Sequence, residues 1–306
     1  MSKVNANFKI EGIVAAPATP LKDNGDLDLE RVKDYVDFLV ANSITGVFIL
    51  GTLGEGMSLT VSERKQVTQA WVKYGIDRLQ VIAHIGAGNL RDSIDLSRHA
   101  QQVGVTALAC MSPSYFRPAN EAIMVDYLEQ VAAAAPDTPF YYYCINFMTG
   151  VNLNTAKILE LADGRIPHLR GVKMSSRELP SLLDCTSVCG GKFDVMIGSD
   201  EQLLTSVVLG VRTPIVSSYM GNIVQRLREA FDVGDWETAR TEQTLARKIM
   251  LISHKYGTSP AFGKAVMKCL GLPLGPVRLP VVDLTPELVE NLKNDLAECD
   301  LSIKWS

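Results

Sequence analysis

Short apolar runs rich in β-branched and aromatic residues recur along the chain, and amphipathic stretches of helical length separate them. Residues 12–16, 46–50, 81–85, 107–111, 139–143, 171–174, 194–197 and 214–217 read as strands, the first of them stopped by Pro17. Between them, 28–41, 60–73, 90–103, 120–135, 155–163, 179–189 and 201–209 carry helical patterns. The second helix opens with Thr60-Val61-Ser62-Glu63, in which Thr60 and Glu63 fit the two halves of a capping box. Eight strands alternating with helices, over about the 200–250 residues that a compact barrel needs, predict an α/β fold of the (β/α)8 TIM barrel type. A doubly wound open sheet is the alternative, but the first strand lacks a GxGxxG turn. After the eighth strand, 236–256, 262–270 and 286–301 read as three further helices, with Pro273, Pro276 and Pro280 punctuating the loop before the last. The expected division is 1–225 for a barrel carrying the active site and 226–306 for a C-terminal helical extension, packed on the barrel or on a neighbouring subunit.

Composition narrows the class. The 306 residues are 47% hydrophobic and 21% charged, as in ordinary globular proteins. A net charge of -4 without a basic stripe argues against nucleic acid as a partner. No apolar run approaches the roughly 20 residues needed to span a bilayer, and residues 1–7 lack a signal-peptide core. Six cysteines lie scattered without CxxC pairing, which suits reduced thiols in a cytoplasmic protein. The four histidines stand far apart, so no metal-ligand spacing appears and no metal cofactor is expected.

Lys173 is the outstanding candidate for chemistry. It lies in Leu169-Arg170-Gly171-Val172-Lys173-Met174, a run that otherwise reads as a buried strand. Alternation sends Val172 and Met174 outward against helices and turns Gly171 and Lys173 into the barrel. An ammonium among apolar walls is costly, so burial lowers its pKa and frees an amine able to condense with a ketone as a Schiff base. The plainer alternative is a strand-end lysine whose head reaches water.

Barrel active sites lie where strands end and the following loops begin. Strand two runs into Gly51-Thr52-Leu53-Gly54-Glu55-Gly56, whose backbone N–H groups can hold an anion or simply form a tight turn. Strand four runs into Ser112-Pro113-Ser114-Tyr115-Phe116. Strand five ends in Tyr141-Tyr142-Tyr143, which alternation cannot keep in one environment. With Phe140 and Tyr142 under the helices, Tyr143 points inward, level with Lys173 on the next strand; otherwise it is a structural aromatic at the rim. Strand seven supplies Gly198-Ser199-Asp200-Glu201, either as ligand contacts or as caps of the next helix, and strand eight supplies Ser217-Ser218-Tyr219.

Taken in order, GT-x-GEG after strand two, YYY…TG after strand five, GVK on strand six and G-x-DEQLL after strand seven resemble the N-acetylneuraminate lyase and dihydrodipicolinate synthase family of pyruvate-dependent class I aldolases. The likeness is closest to the animal-type lyases, extends through 62–67, 131–136 and 275–280, and covers nearly the whole chain. It implies an aldolase that cleaves N-acetylneuraminate to pyruvate and N-acetylmannosamine, with Lys173 forming the Schiff base and Tyr143 as the acid–base residue. Thr52 would meet the carboxylate of the small-molecule 2-keto acid, with Leu53 in the same pocket and Ser175 beside the imine. Gly198, Asp200, Glu201 and Ser217 would meet the hydroxylated tail. Tyr115 matches a tyrosine that reaches into the neighbouring subunit's site. The resemblance further implies a homotetramer that uses no metal or organic cofactor.

Several positions depart from the family pattern. Leu53 stands where a second Thr or Ser is usual, and one lost hydrogen bond to a charged group costs about 1.5–3 kcal/mol, roughly 10- to 100-fold in affinity. Asn146 replaces a proline, a larger Phe147 is expected to narrow the pocket, and Val216 replaces a glycine before Ser217. Met148 stands where dihydrodipicolinate synthases carry an arginine, which disfavours lysine biosynthesis. These changes leave open the same lysine imine acting on a different 2-keto acid, as an aldolase, dehydratase or hydrolase. A catalytically silent metabolite-binding barrel is the remaining alternative, and retention of both Lys173 and Tyr143 argues against it.

Overall fold

In the computed structural model, which describes residues 4–257 and 259–305, eight parallel strands close on themselves in chain order. They are β1 (Val14–Ala15), β2 (Gly46–Ile49), β3 (Gln80–His84), β4 (Ala107–Met111), β5 (Phe140–Cys144), β6 (Leu169–Met174), β7 (Asp194–Ile197) and β8 (Thr213–Val216). β1 pairs with both β2 and β8, which completes the barrel and excludes the open-sheet alternative. Around them run α1 (Arg31–Ala41), α2 (Val61–Gly75), α3 (Leu90–Val103), α4 (Glu121–Ala132), the short α5 (Asn146–Thr149), α6 (Thr155–Ala162), α7 (Leu179–Gly191), α8 (Leu203–Val208) and α9 (Gly221–Asp232).

The strands divide their side chains by parity, as a sheet covered by helices must. On β5, Phe140 and Tyr142 join the core between sheet and helices, whereas Tyr141 and Tyr143 join the cluster that fills the barrel. Val172 and Met174 likewise face the helices. Helix starts are set by side chains that satisfy free N–H groups: Thr60 and Glu63 form the capping box, and Asn89, Asn120 and Asn154 each accept from a backbone N–H three residues on.

The C-terminal region contains α10 (Trp236–Tyr256), α11 (Ser259–Cys269) and α12 (Pro286–Ala297). The sequence pattern assigns no strand or helix to 218–235, yet α9 occupies most of it and serves as the barrel's eighth outer helix. Its buried Ile223, Val224 and Leu227 follow helical spacing, but a glycine and an asparagine at its start blur that signal. α12 stops at Ala297 rather than 301, and α7 leaves helical geometry at Val188–Gly190. Among the described residues, no helix is long and apolar enough to cross a membrane.

Candidate active site

β6 carries Lys173 into the barrel mouth, and its register pairs the lysine with Tyr143 on β5. Gly171, one inward position below, leaves room that a side chain would take from the Asp194 carbonyl on β7. Lys173 is 4% exposed. Its Nζ sits over aromatic faces, 3.7 Å from the ring centroid of Phe48 and 4.3 Å from that of Tyr143. Burial pushes its pKa down to about 7, while the charge of Asp200 pulls the other way. Near neutrality, therefore, much of the lysine is free amine, the form that attacks a carbonyl. Gly198 protects this arrangement, because a Cβ there would lie 2.9 Å from Lys173 Cε and would overlap Ser175 Oγ.

Tyr143 is held between Phe48 and His84, whose rings meet it edge-on at 5.1 and 5.4 Å. Its hydroxyl lies 3.3 Å from Thr52 Oγ1. Burial raises the phenol above its ordinary pKa, and the Thr52 and Ser175 hydroxyls partly offset this. At rest it is a protonated phenol beside an amine that is in part neutral, within reach of the hydroxyls of Thr52 on the β2 loop and Ser175 on the β6 loop.

Across the mouth, Ser217 Oγ donates to Asp200 Oδ2 at 2.8 Å. Burial pushes the Asp200 carboxyl up to about 6, against the stabilising Ser217 bonds and the charge of Lys173. Gln243 of α10 steadies this loop, donating to the Asp200 carbonyl at 3.2 Å and accepting from Leu204 N at 2.8 Å. Lys173, Tyr143, Thr52, Ser175 and Gly198 thus form one group, and Asp200 with Ser217 forms a second in electrostatic reach of the lysine. Glu201 is different. Its carboxylate is ion-paired with Arg177 at 3.2 Å and with Arg247 of α10, so its charge is already engaged at the rim.

Other expected positions fall outside this group. Tyr115 is 86% exposed and packs edge-on against Phe116. Leu53 is partly buried and lines a narrow cleft with Ala16, Tyr35, Ser217, Gly263 and Met267. Phe147 lies on the short helix α5 and is 70% exposed. Val216 packs with the outer core, so its substitution acts behind Ser217 rather than on a ligand.

Two residues that belong to the site went unnoticed in the sequence. Phe48 forms the surface under Lys173. His84 sits at the end of β3, with Nδ1 2.9 Å from the Leu50 carbonyl. A carbonyl only accepts, so Nδ1 carries the hydrogen and the buried Nε2 is a bare acceptor without a protein partner. Burial first, then the Arg64 and Lys173 charges, push its pKa down to about 3, which keeps it neutral. Strand parity was the available signal, since Phe48 and His84 occupy the inward phase of their strands. Among the described residues, no cluster of three or more His, Cys, Asp or Glu side chains is arranged to hold a metal.

Residues 9–299 match the dihydrodipicolinate synthetase family. The N-acetylneuraminate lyase of Rattus norvegicus is 36% identical, with 94% of this chain and 92% of that protein covered. The N-acetylneuraminate lyase of Danio rerio is 39% identical, covering 90% and 91%. Among solved structures, an N-acetylneuraminate lyase (sialic acid aldolase) from Aliivibrio salmonicida superposes with a TM-score of 0.93 at 32% identity, covering 96% of this chain and 98% of that one.

Proposed function

The chain belongs to the dihydrodipicolinate synthetase family, and we propose that within it the protein is a Schiff-base-forming carbon–carbon lyase that cleaves N-acetylneuraminate to pyruvate and N-acetylmannosamine. The observation that carries this reading is the pairing of a buried amine of lowered pKa, Lys173, with the Tyr143 phenol at the same level of the barrel. The relatives named above support the substrate.

The chemistry follows from that pair. Neutral Lys173 Nζ adds to the C2 ketone of the open-chain sugar acid. The resulting carbinolamine loses its hydroxyl as water, with Tyr143 supplying the proton, which leaves an iminium beside a phenolate. The cationic iminium stabilises that phenolate despite its buried site. The phenolate then takes the proton of the C4 hydroxyl as the C3–C4 bond breaks, and the electron pair flows into the iminium to give an enamine. N-acetylmannosamine departs, the enamine is protonated at C3, and water releases pyruvate from Lys173. The imine is itself the electron sink, so the reaction draws on the protein's own lysine rather than an organic cofactor.

In this reading, Thr52 and the N–H groups of its loop bind the carboxylate, Ser175 lies beside the imine, and Leu53 flanks that pocket. Gly198, Asp200 and Ser217 receive the hydroxylated tail, with Glu201 at its far end. The assembly is a homotetramer, which accounts for the exposed Tyr115 and Phe116 in the loop after β4. Free thiols at all six cysteines suit a cytoplasmic setting.

The test is borohydride reduction in the presence of pyruvate, followed by peptide mass spectrometry. A pyruvyl adduct on Lys173, together with pyruvate release from N-acetylneuraminate, is the expected result. An adduct without sialic acid cleavage would move the protein to another 2-keto acid, and no adduct would remove the imine altogether.

A further inference from the structure

The loop that carries Thr52 is gripped from outside the barrel by a buried ion pair. Glu55 follows Thr52 by three positions and adopts the left-handed backbone region, φ 52°, which a residue with a Cβ rarely occupies without a compensating contact. Its carboxylate meets Lys264 of α11, Nζ to Oε1 2.8 Å, with both side chains 3% exposed. Lys264 also donates to the Pro276 carbonyl at 2.5 Å, and Glu55 Oε2 accepts from Arg278 N at 2.9 Å. The Glu55 backbone N–H in turn donates to the Thr52 carbonyl at 3.1 Å. A continuous path therefore runs from α11 through Lys264 and Glu55 to Thr52, whose hydroxyl faces the Tyr143 phenol.

Two buried charges are costly to desolvate, and an apolar pair of similar size would serve packing equally well. What the charged pair adds is a fixed direction: it accepts only one placement of the Glu55 backbone, and hence of the loop. We propose that the Glu55–Lys264 pair is a positioning device through which the C-terminal extension sets the carboxylate-binding loop, so that it governs saturation by the 2-keto acid rather than the covalent step. This rests on the reading of Thr52 as part of the carboxylate site.

The experiment compares the protein with the doubly neutral variant E55Q/K264M, which leaves no buried charge unpaired. Borohydride trapping is followed across pyruvate concentrations, and hydrogen exchange is followed at residues 51–59. The expected result is a roughly tenfold rise in half-saturating pyruvate, an unchanged maximal trapping rate, and faster exchange in 51–59. Unchanged half-saturation with a folded variant overturns the proposal, as does a fall in maximal rate alone. If the unsubstituted protein forms no adduct, the lyase reading fails, while the exchange measurement still decides whether the pair holds the loop. If the variant does not fold, exchange in the unsubstituted protein decides: residues 51–59 and α11 should open as one cooperative unit, and separate opening overturns the coupling.

Discussion

The two ends of the barrel interior are built from the same strands and treat their polar groups in opposite ways. At the floor, the Asp194 carboxylate on β7 accepts from Tyr141 on β5 at 2.8 Å and from Ile10 N at 3.0 Å. Beside it, Arg170 on β6 donates to the Asn5 and Val4 carbonyls at 2.8 and 3.0 Å. At the mouth, one inward position further along β5, Tyr143 faces Lys173, an amine that rests on aromatic rings instead of a carboxylate. His84 there keeps a bare nitrogen. Polar groups that satisfy one another make a plug that seats the N-terminal segment. Polar groups left facing an open mouth hold their free energy in reserve for a ligand, and their pKa values move accordingly.

That contrast can be broken most forcefully at Lys173. Lys173→Met should reduce sialic acid cleavage by about 10⁴-fold or more, as removal of a nucleophile does elsewhere. Because it also removes the burial cost of an ionisable group, it should raise the thermal midpoint by about 5 °C. A variant that lost stability instead would show the amine to be a structural element like those at the floor. Next in size, Tyr143→Phe should slow cleavage by about 10²–10⁴-fold, while mass spectrometry still detects pyruvate reduced onto Lys173.

The floor should answer the other way. Tyr141→Phe leaves Asp194 with one hydrogen bond fewer, and denaturant unfolding should report a loss of about 1.5–3 kcal/mol with pyruvate trapping at Lys173 unchanged. Slower trapping would mean that floor and mouth are coupled. The smallest effect concerns pH. Asp200 holds the Lys173 pKa up, so Asp200→Asn should lower it further and shift the acid limb of the trapping profile, set near pH 7 by the lysine, to lower pH. A shift towards higher pH would contradict the electrostatic sense of the pair.

Much of this was legible in the chain alone. Strand and helix order, the inward phase of Tyr143 and Lys173 and the capping box at Thr60 all follow from periodicity and local hydrogen bonding, which act over a few residues. The helix after the eighth strand was missed because its first turn, Gly221-Asn222, carries no helical signal of its own. Phe48 and His84 were overlooked because each looks like an ordinary core residue until the barrel closes and brings its strand next to Lys173. Phe147 is expected to narrow the pocket on size, and its place on a short helix with its side chain 70% exposed is something the sequence pattern does not show.

By itself the sequence determined the fold type and the inward phase of Lys173 and Tyr143, because alternation and spacing are properties of the backbone that any parallel strand obeys. Only the tertiary structure decided what surrounds them: the aromatic bed under Lys173, the engagement of Glu201 by two arginines, and the pairing of Glu55 with a lysine 209 positions away. Such contacts join residues far apart in the chain, and desolvation acts on a group only through whatever atoms closure of the barrel brings against it.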